Sequence, residues 1–269
     1  MGHTTGMLEE LPTRPKSDGS APSALTRRLG HSVEMTREER AFLEEMQGAP
    51  FAVEAGRDFV TEGDPVSASL VMREGWAFRY RIVPSGKRHI VSYVLPGDVI
   101  ALHASYERHA AHSVAALTDV ELSIVEPIRV MNLSRNHPLL ASGLDWMTVA
   151  TFNIVAEHTV SLGVRPAKQR ILHLMLELYC RLMVVGLADG DGFACPLTQT
   201  QIGDTLGLTS VYVSKCLSRL RADGLLRIGR GRVEFPDMGK ALAAADFDAG
   251  FLESFCVRTV LPNAERVAP

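Results

Sequence analysis

Cysteine is scarce in this chain, and the shortage excludes two kinds of covalent framework. Only four of the 269 residues are cysteines and no two of them form a CxxC pair, so neither a structural zinc site nor a set of disulfides is predicted. We expect reduced, mostly buried thiols and leave a redox-sensing role open, because thiol reactivity depends on the surroundings. The cysteines are Cys180, Cys195, Cys216 and Cys256.

Long apolar runs are also missing. One of the longest, Leu182–Ala188, is far shorter than the roughly 18 residues that a membrane span needs. No apolar leader follows Met1, so a secretory signal is not predicted. We therefore expect a cytoplasmic protein that has no membrane partner.

The net charge is small, but it is unevenly distributed. The chain is 46% hydrophobic and 22% charged with a formal charge of −3, which is typical of a soluble globular protein, and its length fits two domains. Residues 1–164 contain 15 Lys and Arg against 20 Asp and Glu, whereas residues 165–236 contain 10 against 6. Six of these cations lie within residues 209–232, where Asp223 is the only acid. A locally basic C-terminal part predicts a polyanionic partner.

Regularly spaced glycines predict a β-rich N-terminal domain. Between residues 51 and 127, glycines alternate with short strand-like runs such as His89–Leu95. Short strands separated by turn signals are typical of a β-sandwich or a barrel-like roll. Ahead of this region, a short helix is predicted at Arg37–Met46, with Thr36 and Glu39 forming its capping box.

A long helix is predicted after Pro138. Apolar and small residues recur there every three or four positions over about three heptads, as in a helix that pairs with its copy in a dimer. An ordinary amphipathic helix packed on the β-rich domain explains the same pattern. The break at Gly163–Pro166 ends the helix. The predicted dimer interface consists of Leu140, Leu144, Met147, Thr151, Ile154 and His158.

The segment after residue 197 has the pattern of a helix-turn-helix. Thr198 and Gln201 fit a capping box at the start of a short helix, and Gly207 supplies a tight turn. Thr209 or Ser210 then caps a second helix. Two short helices joined by a turn that contains glycine are the helix-turn-helix unit.

Helical projection of the second helix separates a core face from an outer face. Val213, Leu217 and Leu220 share the predicted core face, and small, polar and basic residues occupy the rest, which fits a groove about 12 Å wide. Two short strands around a Gly-Arg-Gly turn follow and predict a wing that presents arginines to phosphates. The predicted base contacts are Ser210, Val211, Tyr212, Ser214 and Lys215, with Ser214 and Lys215 the main ones. The predicted phosphate contacts are Thr198, Ser218, Arg219, Arg221, Arg230 and Arg232.

Three stretches, taken together, resemble the Crp/Fnr superfamily of bacterial transcription regulators. They are Leu95–Ile100, Leu197–Thr209 and Ser210–Lys215, in the family's order and at its spacing. The resemblance covers roughly residues 50–250. It implies an α+β architecture with an N-terminal cyclic-nucleotide-binding-type β-roll, a long dimerisation helix and a C-terminal winged helix-turn-helix that binds promoter DNA.

This resemblance and the residue patterns together predict five segments. They are a disordered tail at residues 1–30, which are rich in Gly, Ser, Thr and Pro, a β-roll sensor domain at 31–137, a dimerisation helix at 138–164, a winged helix-turn-helix DNA-binding domain at 165–250 and a C-terminal tail at 251–269.

The chain departs from family members that bind cyclic AMP or an iron–sulfur cluster. Where cyclic-AMP-binding members carry a Gly-Glu pair and a downstream Arg-Ser pair, this chain has Ala101-Leu102 and no Arg-Ser within residues 107–116. It has no cysteine before Cys180, which excludes a cluster built from N-terminal cysteines. No cofactor or metal is predicted, and the effector-binding residues are unknown. Haem or another small effector is left open, and three histidines are its conceivable ligands, although polar residues on a loop are the favoured interpretation of His103, His109 and His112.

The second helix departs from the family as well. The family often has Glu at the position of Val211 and Arg at the position of Lys215. Because Val contacts a thymine methyl group rather than a cytosine amino group, we expect an operator unlike the usual family half-sites.

The sequence therefore predicts a homodimeric, cytoplasmic DNA-binding regulator and not an enzyme. The expected partners are double-stranded DNA, a second copy of the chain and, for an activator, RNA polymerase. The alternative is a small-molecule-binding roll protein or an enzyme whose winged helix contacts another protein. No nucleophile–base pattern, phosphate loop or metal-ligand spacing in the sequence supports that alternative.

Overall fold

The computed structural model of the chain describes residues 21–102 and 109–255. Contacts divide the chain into two compact units. The first runs to Ile82 and resumes at Tyr93–Thr148, and the second combines Val83–Ser92 with the chain from Val149 onward.

The described residues form helices in both units and strands in three sheets. The helices are α1 (Ala24–Gly30), α2 (Arg37–Met46), α3 (Pro127–Asn136), α4 (Pro138–Val164), α5 (Ala167–Val184), α6 (Gln199–Leu206), α7 (Ser210–Ala222) and α8 (Met238–Ala245), followed by a 3-10 helix at Ala249–Phe255. The strands are β1 (Pro50–Val53), β2 (Asp58–Val60), β3 (Ser69–Glu74), β4 (Ala77–Ile82), β5 (Arg88–Val94), β6 (Val99–Ile100), β7 (Ser113–Ala116), β8 (Val120–Val125), β9 (Ala188–Asp189), β10 (Gly192–Ala194), β11 (Arg227–Gly229) and β12 (Arg232–Glu234).

The β-roll consists of two four-stranded sheets, ordered β1-β8-β3-β6 and β2-β7-β4-β5. Met72, Val94, Val114 and Leu122 are among the buried apolar residues that fill the space between the strands. At the β3–β4 turn, a Cβ on Gly75 would lie 2.2 Å from the carbonyl oxygen of Asp119, so only glycine fits there. The predicted α+β fold with an N-terminal roll is confirmed.

The first helix corrects the prediction that residues 1–30 form a disordered tail. Ala24–Gly30 is helical, and the side chains of Leu25 and Leu29 are buried in the core below the roll. Arg28 forms a buried ion pair with Asp98, in the turn that the Leu95–Ile100 motif builds. Two leucines in a polar stretch are too weak a periodic signal, and the helix owes its order to these tertiary contacts. Residues 1–20 of the predicted tail lie outside the described residues.

The second helix agrees with the sequence. It runs over Arg37–Met46 as predicted, and the Thr36 hydroxyl accepts a hydrogen bond from the Glu39 amide while the Glu39 carboxylate accepts one from the Thr36 amide. The capping box is therefore confirmed.

The long helix α4 spans the predicted residues, but its predicted interface is buried in its own chain. Leu140, Leu144 and Met147 pack with residues of α1, α2 and β3 in one apolar cluster. The Ile154 side chain is also buried, and Thr151 is half-buried. Most of this stripe is thus covered within one chain, which corrects its assignment as a dimer interface. The interpretation as an amphipathic helix packed on the roll describes this face.

The opposite side of α4 is exposed and apolar. Among the helices in the described ranges, α4 alone is long and apolar enough to cross a membrane, although it has no uninterrupted apolar run of that length. A core helix of a soluble protein can have the same length and mean hydropathy.

The C-terminal unit is built around α5, which is buried along most of its length. Helices α7 and α8 contact α5, and a four-stranded sheet of order β11-β12-β10-β9 completes the unit. The start of the predicted C-terminal tail is ordered, because Leu252 is buried and the Phe251 ring stacks on His173 with a centroid distance of 5.6 Å. Residues 256–269 lie outside the described residues.

Candidate nucleic-acid interface

Hydrogen bonds from capping residues determine where the two helices of the helix-turn-helix begin. The Thr198 hydroxyl accepts from the Gln201 amide at 3.2 Å, and the Gln201 side chain accepts from the Thr198 amide at 2.8 Å. Gly207 ends α6 in the left-handed region with a φ of 65°. The Thr209 hydroxyl accepts from the Tyr212 amide at 3.3 Å, so Thr209, and not Ser210, caps α7. These caps are the ones the sequence predicts, with the Thr209/Ser210 alternative resolved.

The two helices approach each other closely at one glycine. A Cβ on Gly203 would lie 2.5 Å from the Leu208 carbonyl oxygen, so a side chain there would push α6 away from the turn. This close contact keeps α6 packed against the turn that leads into α7, the helix whose outer face is the candidate interface.

The core face of α7 is close to the prediction. Val213 and Leu220 are buried as expected, but Cys216 is buried as well and Leu217 is only half-buried. The buried stripe is therefore rotated slightly toward Cys216. A cysteine behaves as a small apolar residue in a core, which hydropathy patterns under-weight.

The predicted base-contacting residues are mostly accessible to solvent, with Val211 and Lys215 opposite the buried face of α7 and Tyr212 and Ser214 beside it. Ser210 and Lys215 are exposed, Val211 and Tyr212 are 66% and 46% exposed, and Ser214 is half-buried. A valine and a tyrosine that face solvent at the start of a helix gain nothing for the fold, whereas contact with bases would bury them.

The predicted phosphate contacts fall into two groups. Ser218, Arg219 and Arg230 are exposed, and Arg230 occupies the wing turn with Gly231, both at positive φ, 52° and 73°. The Thr198 hydroxyl is engaged in the α6 cap. Arg221 is exposed but donates to the Ile228 carbonyl at 3.0 Å, which ties α7 to the wing.

Arg232 does not fit its predicted role. Its guanidinium forms an ion pair with Asp189 and lies 3.8 Å from Asp191 and 3.7 Å from Glu234. The hydrogen bond to Asp189 raises the pKa of Arg232, so the charge is permanent but already balanced. Because three carboxylates surround this cation, the structure corrects its assignment as a phosphate ligand.

Two ion pairs that the sequence does not reveal hold the helix-turn-helix in place. Arg88, at the start of β5, donates from Nε and Nη2 to one carboxylate oxygen of Asp204 in α6, at 2.9 and 2.7 Å. Lys168 in α5 donates to Asp223 at the end of α7, at 2.7 Å. The two residues of each pair are 116 and 55 positions apart in the sequence, and no local pattern links residues so distant.

His158, predicted at the dimer interface, belongs instead to a buried ionic cluster. Its Nε2 lies 2.5 Å from Glu177, its Nδ1 lies 3.3 Å from the Val91 carbonyl oxygen, and Arg181 donates to Glu177 at 3.0 Å. Both ring nitrogens face acceptors, as a protonated imidazole requires. Burial alone would lower the pKa of His158, but the charge and hydrogen bond of Glu177 outweigh it and the pKa is raised.

A second histidine in the same unit is kept neutral. His173 is buried between the rings of Phe247 and Phe251, at centroid distances of 4.8 and 5.6 Å. Burial, assisted by the charge of Arg165, lowers its pKa to about 4.

Neither thiols nor metal ligands form a reactive centre among the described residues. Cys180, Cys195 and Cys216 are free and buried, as expected, and burial raises the pKa of Cys195 to about 11. The described residues contain no cluster of three metal-ligating side chains. His109 is exposed, and His103 and Cys256 lie outside the described residues.

Comparisons with known proteins match both units. Residues 169–243 match the Crp-like helix-turn-helix domain, and residues 50–137 match the cyclic nucleotide-binding domain. The transcriptional regulatory protein btr of Bordetella pertussis is 27% identical over 215 residues, 78% of this chain and 88% of that protein. The transcriptional activator protein FnrL of Cereibacter sphaeroides is 26% identical over 246 residues, 90% of this chain and 97% of that protein.

The fold is shared with solved structures. The structure of FixK2 from Bradyrhizobium japonicum matches with a TM-score of 0.66 at 24% identity, covering 74% of this chain and 98% of that one. Two domain matches in this order, on a chain whose relatives of nearly full length are transcription regulators, confirm the resemblance seen in the sequence, and the chain belongs to the Crp/Fnr superfamily of helix-turn-helix transcription regulators.

Proposed function

We propose that this chain acts as a cytoplasmic homodimer that binds a near-palindromic operator and is gated by a signal at the β-roll. The observation that carries the proposal is the arrangement of α7, whose buried Val213–Leu220 side leaves Val211, Tyr212 and Lys215 in solvent. An exposed N-terminal half of the second helix is the part that enters the major groove in helix-turn-helix proteins.

A second apolar stripe on α4 supports the dimer. Counted from Leu139 in steps of three and four, it is exposed or half-exposed at every position, and the run of Leu139, Ser142, Trp146, Val149, Asn153, Ala156, Val160 and Gly163 follows a heptad repeat. It combines Leu, Trp and two Val with the small residues Ser, Ala and Gly, and the single Asn at a core position would select one register and one oligomeric state. We propose this exposed stripe as the dimer interface in place of the buried one.

A dimer has consequences for the DNA. Two copies of α7 would contact half-sites about 34 Å apart, one turn of the duplex. If the dimer neutralises about six to ten phosphates, its affinity falls by roughly three to five decades between 50 and 200 mM salt. Such a protein would act in the cytoplasm and, as an activator, would also contact RNA polymerase.

Selection of bound oligonucleotides by the full-length protein tests the proposal. We expect enrichment of an inverted repeat that differs from the usual family half-sites. In Lys215→Ala, the loss is on the order of 1–3 kcal/mol per half-site and the preference relaxes at the contacted base pair. Failure to enrich any sequence, or an unchanged preference in Lys215→Ala, contradicts the assignment. Turnover of a small molecule by a protein that does not bind DNA would favour the enzyme alternative.

Two wing arginines provide a matched pair for the phosphate contacts. Arg230→Ala should weaken binding to every sequence alike and reduce the salt slope by about one per contact, since an exposed cation is lost. Arg232→Ala should leave the affinity nearly unchanged, because that charge is already balanced by three carboxylates. An unchanged affinity in Arg230→Ala, or an equal loss in Arg232→Ala, would contradict the assignment of the wing's phosphate contact to Arg230.

A further inference from the structure

The β-roll contains an apolar cavity of about 120 Å³. Strand residues from both sheets line it, and most of the lining side chains are aliphatic or aromatic, among them Phe51, Phe59, Leu70, Ile100 and Ile124. Among the described residues of the lining, the polar side chains are those of Asp64 and Ser67. The only charge that these described residues place on the wall is therefore negative.

The cavity is partly open to solvent, and an unfilled apolar space of this size is uncommon between the strands of a domain. Cores pack as densely as organic crystals, with few voids larger than a water molecule. A cavity of about 150 Å³ with aliphatic and aromatic walls stays dry and binds benzene or xenon. The cavity in the roll is slightly smaller, so it suits a molecule of about the size of a single small ring.

The described part of the lining is unsuited to an anionic ligand. A nucleotide phosphate needs a cation or several backbone amides directed at it, and the described residues that line the cavity include neither lysine nor arginine. Ala101, one of the two residues that replace the Gly-Glu pair of nucleotide-binding relatives, is part of the wall. The site would reject a phosphate and accept an uncharged, apolar molecule.

The strands that line the cavity also contact the long helix. In β3, Leu70 faces the cavity and Val71 belongs to the cluster that packs against α4. The same division holds in β6 and β8, where the cavity is lined by Ile100 and Ile124 and the cluster under α4 includes Val99 and Val125. Successive residues of a strand point to opposite faces, so one sheet separates the cavity from Leu140, Leu144 and Met147 of α4. A ligand that spreads this sheet would change the packing under the helix.

We propose that the cavity is the effector site of this regulator and that its ligand is a compact, uncharged, apolar molecule. The regulatory part of this inference rests on the proposed function, but the binding itself does not. A molecule of about six to eight non-hydrogen atoms, aromatic or aliphatic, fills the volume.

Titration of the full-length protein with toluene tests the site, and sodium benzoate serves as the charged counterpart of similar shape. We expect saturable binding of one toluene per chain with a rise in Tm, and no binding of benzoate. Ala68→Leu places three more carbons at the cavity wall and should weaken toluene binding at least tenfold, roughly the effect of a methylene group misplaced in an apolar pocket. The control Ala52→Leu adds the same carbons on the exposed side of β1 and should bind toluene like the original protein.

A second variant tests the site by removing atoms from the cavity wall, so its result does not depend on a side chain that is too large for its place. Leu70→Ala enlarges the cavity and should admit naphthalene, which the original protein excludes. Absence of saturable toluene binding, equal weakening in Ala68→Leu and Ala52→Leu, or binding of cyclic AMP in place of toluene would overturn the proposal. Operator binding, measured separately with and without toluene, should change in the original protein and stay constant in Ala68→Leu. Toluene binding by a protein that selects no DNA would refute the proposed function and leave the ligand site standing.

Discussion

The two apolar stripes of α4 have similar residues but different environments. Leu139 is 57% exposed, whereas the next residue, Leu140, is fully buried beneath the roll. Trp146 and Met147 repeat the contrast one heptad later, at 40% and 7% exposure. A heptad pattern establishes that a helix has an apolar side, but not which surface covers it. In a helix of 27 residues with an apolar stripe on each side, a stripe that packs in the core is easily mistaken for one that pairs two chains.

The largest expected effect comes from truncating the buried stripe. Leu144→Ala should lower the free energy of unfolding by about 2–5 kcal/mol, because it removes a core side chain and leaves a cavity. Leu139→Ala, the same change on the exposed stripe, should cost less than about 0.5 kcal/mol. Urea denaturation at low protein concentration, where association does not contribute, compares them. Similar losses would mean that the two stripes are not distinct.

A charge on the exposed stripe should act on association and not on folding. Val149→Glu would bury an unpaired carboxylate between the two chains, so we expect the dimer dissociation constant to rise at least a hundredfold, about 2.7 kcal/mol. Thr148→Glu, on an exposed position outside the stripe, is the control and should remain dimeric. Sedimentation equilibrium measures both. Dimers of unchanged strength in Val149→Glu would locate the interface elsewhere.

The buried side of α4 should also give the stability a dependence on pH. The raised pKa of His158 means that its pair with Glu177 stabilises fully below about pH 6.5 and is lost as pH rises through the raised value. The stabilisation also has a limit at low pH, which the lowered pKa of Glu177 sets. The contribution of Glu177 is present above about pH 4.5 and is lost on further acidification.

His158→Gln keeps a hydrogen-bond donor but removes the charge. We expect it to lower the free energy of unfolding by about 1–2 kcal/mol at pH 6 and by clearly less at pH 9. Urea midpoints of the original protein and the variant at the two pH values give the comparison. A loss that is the same at both would show that the imidazole is neutral in the folded protein.

Where the determinants are local, the sequence predicts the structure well. The caps of α6 and α7, the left-handed Gly207 and the wing turn each depend on residues within a few positions. The predicted helix-turn-helix therefore matches almost residue by residue. Cys216 is the exception, because its burial depends on the packing of α7 against α5.

Where the determinants are distant, prediction fails for a physical reason. The carboxylate that neutralises Arg232 lies 43 residues away, and the acid that holds Arg88 lies 116 residues away. The helix Ala24–Gly30 depends on Asp98, which is 70 residues from Arg28. The roll cavity is a space that the described side chains leave unfilled, and a pattern of residue types along the chain does not reveal such a space.

Combined with the phosphate contact proposed for it, the backbone at Arg230 places stability and DNA affinity in opposition at a single residue. Its left-handed φ of 52° is a conformation that glycine adopts freely and that a residue with a Cβ adopts at some cost. Arg230→Gly should therefore make the folded protein more stable, by up to about 1 kcal/mol, while loosening its hold on every DNA sequence. Selection for heat resistance alone would tend to discard this arginine, and only selection for promoter occupancy would retain it.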